Sequence, residues 1–166
     1  MRSRTAPTAS LLVDLFTVQA YGDLHAVAPI VAIAAISAVF SLICHLVHYE
    51  ALRALSVLLP AVGLQARRKV LLVVSGAVLA HVFEIVLFGI AFWLSLKFDL
   101  PALTDISFKE AFYLSIESYS SLGTSGGFPV GPIRILAGLE SLVGLILIGW
   151  TTSYTYLTMR EFWNNH

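Results

Sequence analysis

Three long apolar stretches, separated by short polar intervals, set the pattern of the chain. Residues 27–49 contain no Asp, Glu, Lys or Arg. Residues 70–96 are apolar apart from a few small polar residues, His81 and Glu84, and residues 135–157 carry Glu140 near their start. Crossing a bilayer as a helix takes about 20 residues, so each stretch predicts a transmembrane helix. Pro29 falls near the start of the first, where a missing N–H does little harm. A fourth apolar stretch, residues 108–122, is too short to cross, and it runs into Gly123-Thr124-Ser125-Gly126-Gly127-Phe128-Pro129. A short helix and a glycine-rich run between two full spans match a re-entrant pore loop. Irregular backbone at membrane depth is tolerated only when buried in protein or lining a water-filled cavity. The pattern alone fits an extracellular loop with a surface helix as well. Residues 9–21 are apolar with Asp14 and Gln19 interposed. They read either as a helix lying in the interface or as an extension of the first span.

Composition agrees with a lipid-facing surface. The 166 residues are 58% hydrophobic and 12% charged, against about 25% charged in soluble domains, and the mean hydropathy is +0.85. The zero net charge points to no nucleic-acid partner. A single cysteine, Cys44, rules out an internal disulfide and a Cys-rich metal cage, and reads as a small apolar filler. Residues 1–8 are polar and no compact apolar run with a cleavage site follows, so no cleavable signal peptide is expected. No soluble domain is expected either, and any sensor would come from another chain.

Basic residues set the expected topology. Arg53, Arg67, Arg68 and Lys69 lie between the first two spans and Arg160 follows the third, while Lys97, Asp99, Asp105, Lys109 and Glu110 form a mixed segment. The positive-inside rule places the first loop and the C-terminus in the cytoplasm. The N-terminus and the segment before the third span then face outside, against the weaker vote of Arg2 and Arg4. Trp93, Trp150 and Trp163 are expected near the interfaces.

Polar residues inside the spans are the candidate chemistry. His81 and Glu84 stand three apart and share a helix face. An intramembrane charge costs about 2.5–3.5 kcal/mol on insertion scales, so it should face protein or water. The pair reads as a tether between the second span and the short helix, as a proton-sensitive gate, or as a packing contact. His45 and His48, followed by Glu50, read as a metal or pH site or as interfacial anchors. Zinc sites usually need three protein ligands, and no metal is expected. There is no H-E-x-x-H motif, catalytic triad or phosphate loop, so no enzyme is expected.

Residues 111–126 read AFYLSIESYSSLGTSG. This run resembles, without a gap, the pore helix and filter of the potassium-channel family, whose filter reads TVGYG followed by Asp. Phe112 and Tyr113 match its pore-helix aromatics, and Glu117 its glutamate behind the filter. Ser120 and Ser121 stand for the Thr pair, Leu122 for Val, Gly123 for the first glycine, Thr124 for Tyr, Ser125 for the second glycine and Gly126 for Asp. Pro129 and Gly131-Pro132-Ile133-Arg134 resemble the turn into the inner helix, and Gly144 lies near the family's gating hinge. The resemblance covers roughly residues 70–159 and is nearest to small bacterial channels with an extra N-terminal span.

What the resemblance implies is an all-α membrane protein: three transmembrane helices plus a re-entrant pore helix and filter loop, assembled as a homotetramer in a bacterial inner (plasma) membrane. Residues 1–26 would be an N-terminal segment, 27–60 the first span with a cytoplasmic extension, and 61–166 the pore domain. The filter would be Ser121, Leu122, Gly123, Thr124, Ser125 and Gly126, supported by Glu117 and Tyr119. Burial should favour the neutral form of Glu117. Four loops of carbonyls would replace the hydration shell of an axial cation, K+ or Na+, and no cofactor is needed. Glycine permits the left-handed dihedrals this requires, while Ser125 would incur about 1–2 kcal/mol. With Tyr and Asp replaced by Thr124 and Gly126, potassium selectivity should be weakened or lost. The implied function is passive conduction of monovalent cations, with a separate regulatory subunit as a possible partner. The alternative is a non-conducting accessory subunit that keeps the fold.

Overall fold

The computed structural model describes the backbone of residues 9–99, 107–123 and 130–164, and the side chains of residues 27–97, 107–123 and 130–161. Four helices make up the described residues: α1 (Ala9–Ala61), α2 (Ala66–Asp99), α3 (Phe108–Tyr119) and α4 (Ile133–Asn164). Three contain stretches long and apolar enough to cross a membrane: Val27–Ala61, Ala66–Lys97 and Ile133–Glu161. The chain is an all-helical, multi-pass membrane protein.

The helices outrun the apolar stretches that announced them. α1 continues through both Pro29 and Pro60, so Pro29 is inside a helix, not at its start. Its missing N–H leaves one carbonyl a turn earlier without an intrahelical donor. The extension beyond residue 49 is held by a seam in which Leu52, Leu55 and Leu59 bury against Val73 of α2. The spacing of three and four places those leucines on one face. The connection between α1 and α2 is consequently short, and Arg67, Arg68 and Lys69 stand on the first turn of α2 rather than in a loop.

One larger core joins all four helices. Ile33 and Cys44 of α1, Phe88 and Phe92 of α2, Ala111 of α3, and Ile133, Leu136 and Leu147 of α4 are buried together. Because Ile33, Leu96 and Ile133 share this core while Leu59, Val73 and Tyr154 share the other, α1 and α4 run parallel and α2 runs against them. The α1–α2 turn and the C-terminal end of α4 therefore lie at the same end of the bundle. Hydroxyls along the spans are satisfied by their own helix: Ser37, Ser56, Thr152 and Thr158 each donate to the carbonyl four residues back, so none leaves an open donor in an apolar span.

α3 is the short element. At about 1.5 Å per residue its 12 residues cannot cross a bilayer. Its start is specified locally by a capping box: the Ser107 hydroxyl accepts from the Glu110 N–H and the Glu110 carboxylate accepts from the Ser107 N–H. Each group satisfies a backbone donor that the helix end would otherwise leave open. That end is exposed. Beyond it, α3 is wedged between α2 and α4 at two glycines, one facing Phe112 and one facing its last residue, Tyr119. A Cβ on Gly89 would stand 3.3 Å from the Phe112 Cα, and one on Gly144 would overlap the Tyr119 carbonyl.

Candidate functional site

Where α3 ends, side chains from all four helices close a polar ring. Glu84 of α2 lies near the middle of its apolar stretch and is fully buried. Its Oε1 is 2.8 Å from Nδ1 of His48 on α1. Its Oε2 accepts from the Tyr119 hydroxyl at 2.5 Å and lies 3.2 Å from Nδ1 of His81. That same His81 nitrogen is 2.7 Å from the Tyr119 hydroxyl. The ring is completed by Thr151 of α4, whose Oγ1 is 3.0 Å from His81 Nε2 and 3.2 Å from His48 Nε2. His48 is fully buried, and the His81 side chain retains 17% exposure. A carboxylate in this position is tolerated because every polar atom of the ring has a partner.

Of the expected pairs, His81 and Glu84 do lie together, and Glu84 bonds directly to the last residue of α3. The reading of His45 and His48 as one pair is not what the bundle does. His45 Nδ1 stands 2.7 Å from the Ser41 carbonyl of its own helix, while His48 turns inward to Glu84. His48 is thus a buried partner of Glu84 and not an interfacial anchor. Thr151 carried no signal in the sequence beyond being a hydroxyl in an apolar run.

A second buried carboxyl belongs to α4. Glu140 is fully buried, and its Oε1 accepts from the Ser115 hydroxyl of α3 at 2.5 Å. Ser115 is also 2.8 Å from the Ile85 carbonyl of α2. Among the described residues Glu140 Oε2 has no hydrogen-bond partner. Ser141 of α4 donates to the Ser118 carbonyl at 2.7 Å. α3 is therefore pinned to both flanking helices along its length.

The end of α3 has a defined shape. Ser120 is the C-cap. Ser121 follows in the left-handed region at φ 54°, its N–H bonded to the Ser118 carbonyl and the Leu122 N–H to the Glu117 carbonyl. These are the two bonds of a Schellman motif, which usually places glycine where Ser121 stands. Gly123 has φ 83°, so Ser121 and Gly123, two of the residues expected to form a filter, are both left-handed. Glu117, Ser121 and Gly123 line a cavity of about 310 Å³ together with Arg134, Ala137 and Ser141. Leu122 is exposed. Thr124, Ser125 and Gly126 lie outside the described residues, and the strain expected at Ser125 falls there with them. Tyr119 reaches α2, so the brace it forms joins α3 to the second span. Gly144 sits in an uninterrupted stretch of α4, where its lack of a side chain admits the Tyr119 carbonyl.

No protein-family model, curated protein or solved structure matches the chain.

Proposed function

We propose that the chain is one subunit of a tetrameric pore through which monovalent cations pass, with α3 and residues 120–132 as a re-entrant pore loop. The observation that carries this reading is the depth of the end of α3. Its exposed start is set by Ser107 and Glu110, whereas its last residue, Tyr119, bonds to Glu84 and His81 in the middle of α2 and abuts Gly144 in the middle of α4. The described chain resumes at Val130 and enters α4 at Ile133, and α4 then descends beside α3, with Glu140 at Ser115, Ser141 at Ser118 and Gly144 at Tyr119, so Ile133 lies toward the level of the start of α3. A segment that descends to mid-span and returns to its starting level supports a re-entrant reading. Irregular backbone there has to face protein or water, not lipid.

Electrostatics support a cation over an anion. The C-terminus of a helix carries about half a negative elementary charge, and α3 points that end into the bundle. Ser121 and Gly123, at left-handed φ, follow directly. α4 presents Gly138, Leu142, Leu145, Gly149 and Thr152 on an exposed face, spaced as one stripe along a helix. A symmetric assembly would turn that stripe toward its axis. The filter in this proposal is Ser121, Leu122, Gly123, Thr124, Ser125 and Gly126, and preference for potassium over sodium is weak.

The test is cation flux into liposomes holding the purified full chain, with subunit number read by native mass spectrometry. Flux of K+ and Na+ at comparable rates from a tetramer is the expected result. A folded tetramer that passes neither ion at any pH or voltage assigns the chain to the non-conducting class.

A further inference from the structure

We infer that His48, His81 and Glu84 form a binding site for a divalent transition metal of the zinc class, bridging the first span to the second beside the end of α3. One ligand atom from each of the three residues falls within 4.8 Å of the others. Two imidazoles and one carboxylate are a ligand set that zinc takes, leaving a fourth position open. The Tyr119 hydroxyl, 2.7 Å from His81 Nδ1 and 2.5 Å from Glu84 Oε2, stands beside that position.

The independent observation is Thr151. The ring Glu84–His48–Thr151–His81–Tyr119 has five links, and each link needs one hydrogen. Two neutral imidazoles and two hydroxyls supply four, and an ionised carboxylate supplies none. With Glu84 ionised the ring is one proton short, and either a proton on the ring or a metal ion supplies the missing positive charge. Thr151 has one proton to give and stands against two imidazole Nε2 atoms, so at least one of the two rings must carry its hydrogen on Nε2. A metal held by both Nδ1 atoms fits the same contacts. Each imidazole then carries its hydrogen on Nε2 and donates it to the Thr151 oxygen, which accepts both. Thr151 takes the role of the outer partner that fixes the orientation of metal-bound histidines.

Binding is balanced by proton release. With Glu84 protonated, the metal-free ring is neutral and holds five protons. The form with the metal, an ionised Glu84 and a neutral Tyr119 holds four, so one proton leaves for each metal that enters. Tetrahedral zinc ligands stand about 3.3 Å apart. The His48–Glu84 and His81–Glu84 separations of 2.8 and 3.2 Å therefore widen by up to about half an ångström when the metal enters.

The experiment uses the full chain with any affinity tag removed, stripped with chelator in detergent and titrated with Co2+ and then Zn2+. Expected are tetrahedral Co2+ absorption bands that saturate at one ion per chain and are displaced by Zn2+. His48→Ala and Glu84→Gln should abolish the bands, His45→Ala should leave them, and Thr151→Val should weaken binding by about 10–100-fold. Gel filtration and circular dichroism identify any variant that does not fold. In that event the wild-type stoichiometry and the Thr151→Val and His45→Ala titrations decide. Absence of saturable binding by folded wild-type protein overturns the inference, as does unchanged binding by His48→Ala. A nitrogen NMR signature of imidazolium that Zn2+ does not alter also overturns it, assigning the missing charge to a proton. No ion flux enters these readouts, so the site stands or falls separately from the pore reading.

Discussion

The carbonyl oxygen of Tyr119 occupies the space that a side chain on Gly144 would fill. This is backbone against backbone, so neither partner can swing aside. Gly144→Ala should force α3 away from α4 and cost about 1–3 kcal/mol, the range for overpacking a tight contact. Gly149, also on α4, has nothing within 4 Å of its would-be Cβ, and Gly149→Ala should leave the stability of the isolated subunit nearly unchanged. Thermal unfolding of both variants in detergent checks the difference. Equal effects would mean that Gly144 acts through helix flexibility, as a hinge, and not through packing.

The bond from Tyr119 to Glu84 is one of the direct links between α3 and the second span. Tyr119→Phe keeps the ring and removes the donor. Interhelical hydrogen bonds in membranes are worth about 0.6 kcal/mol on average and up to about 1.7. The short contact to a carboxylate puts this one at the upper end. A double-mutant cycle with Glu84→Gln should return a coupling of about 1–2 kcal/mol, measured by unfolding. A coupling near zero would mean that His48 and His81 alone hold Glu84.

Much of this architecture was legible along the chain. The three spans follow from apolar length, whereas the capping box of Ser107 and Glu110 that starts α3 was not read from the chain and emerges only in the fold. The end of α1 beyond residue 49 was expected only as a cytoplasmic extension, and the seam of Leu52, Leu55 and Leu59 that holds it lies outside the apolar run that marks a span. The polar ring was only half legible. His81 and Glu84 are three residues apart on one helix, and periodicity finds such pairs. His48 meets Glu84 across 36 positions and Thr151 across 103, and no local period encodes a contact between helices. The spacing of His45 and His48 favoured pairing them, yet a buried carboxylate opposite one of the two decided which turned inward.

Ser115 and Glu140 offer a second test of how α3 is held. Ser115→Ala removes the described partner of Glu140 and leaves a buried carboxyl without a hydrogen bond. The cost should be about 1–3 kcal/mol. Restoring stability in the double variant Ser115→Ala/Glu140→Leu, which removes both polar groups, would show that the carboxyl itself carries the penalty. Unfolding midpoints of the two proteins supply the comparison.

At the end of α3, stability and conduction pull in different directions. Ser121 holds a left-handed conformation that glycine adopts without strain, and Ser121→Gly should stabilise the fold by about 1 kcal/mol. The same change deletes the hydroxyl that the proposed filter would offer to a cation. A more stable protein with altered K+ and Na+ flux is the expected outcome. A more stable protein with unchanged flux would leave Ser121 a helix cap alone.

The sharpest test of the filter assignment lies in the residues that follow. In the resemblance to potassium channels, Thr124, Ser125 and Gly126 replace a tyrosine, a glycine and an aspartate. Tyrosine would brace the loop from the side, glycine would turn the next carbonyl inward without strain, and aspartate would stand opposite Glu117. Glu117 already lines the cavity beside Ser121 and Gly123, so a restored aspartate has a carboxyl to meet. The triple change Thr124→Tyr/Ser125→Gly/Gly126→Asp should therefore raise the preference for K+ over Na+ in liposome flux, because a rigid ring of carbonyls matches one ion size. The single change Ser125→Gly should contribute least, since it adds no brace. An unaltered ion preference in a folded triple variant would place the filter elsewhere in the chain and remove the basis for aligning residues 120–126 with it.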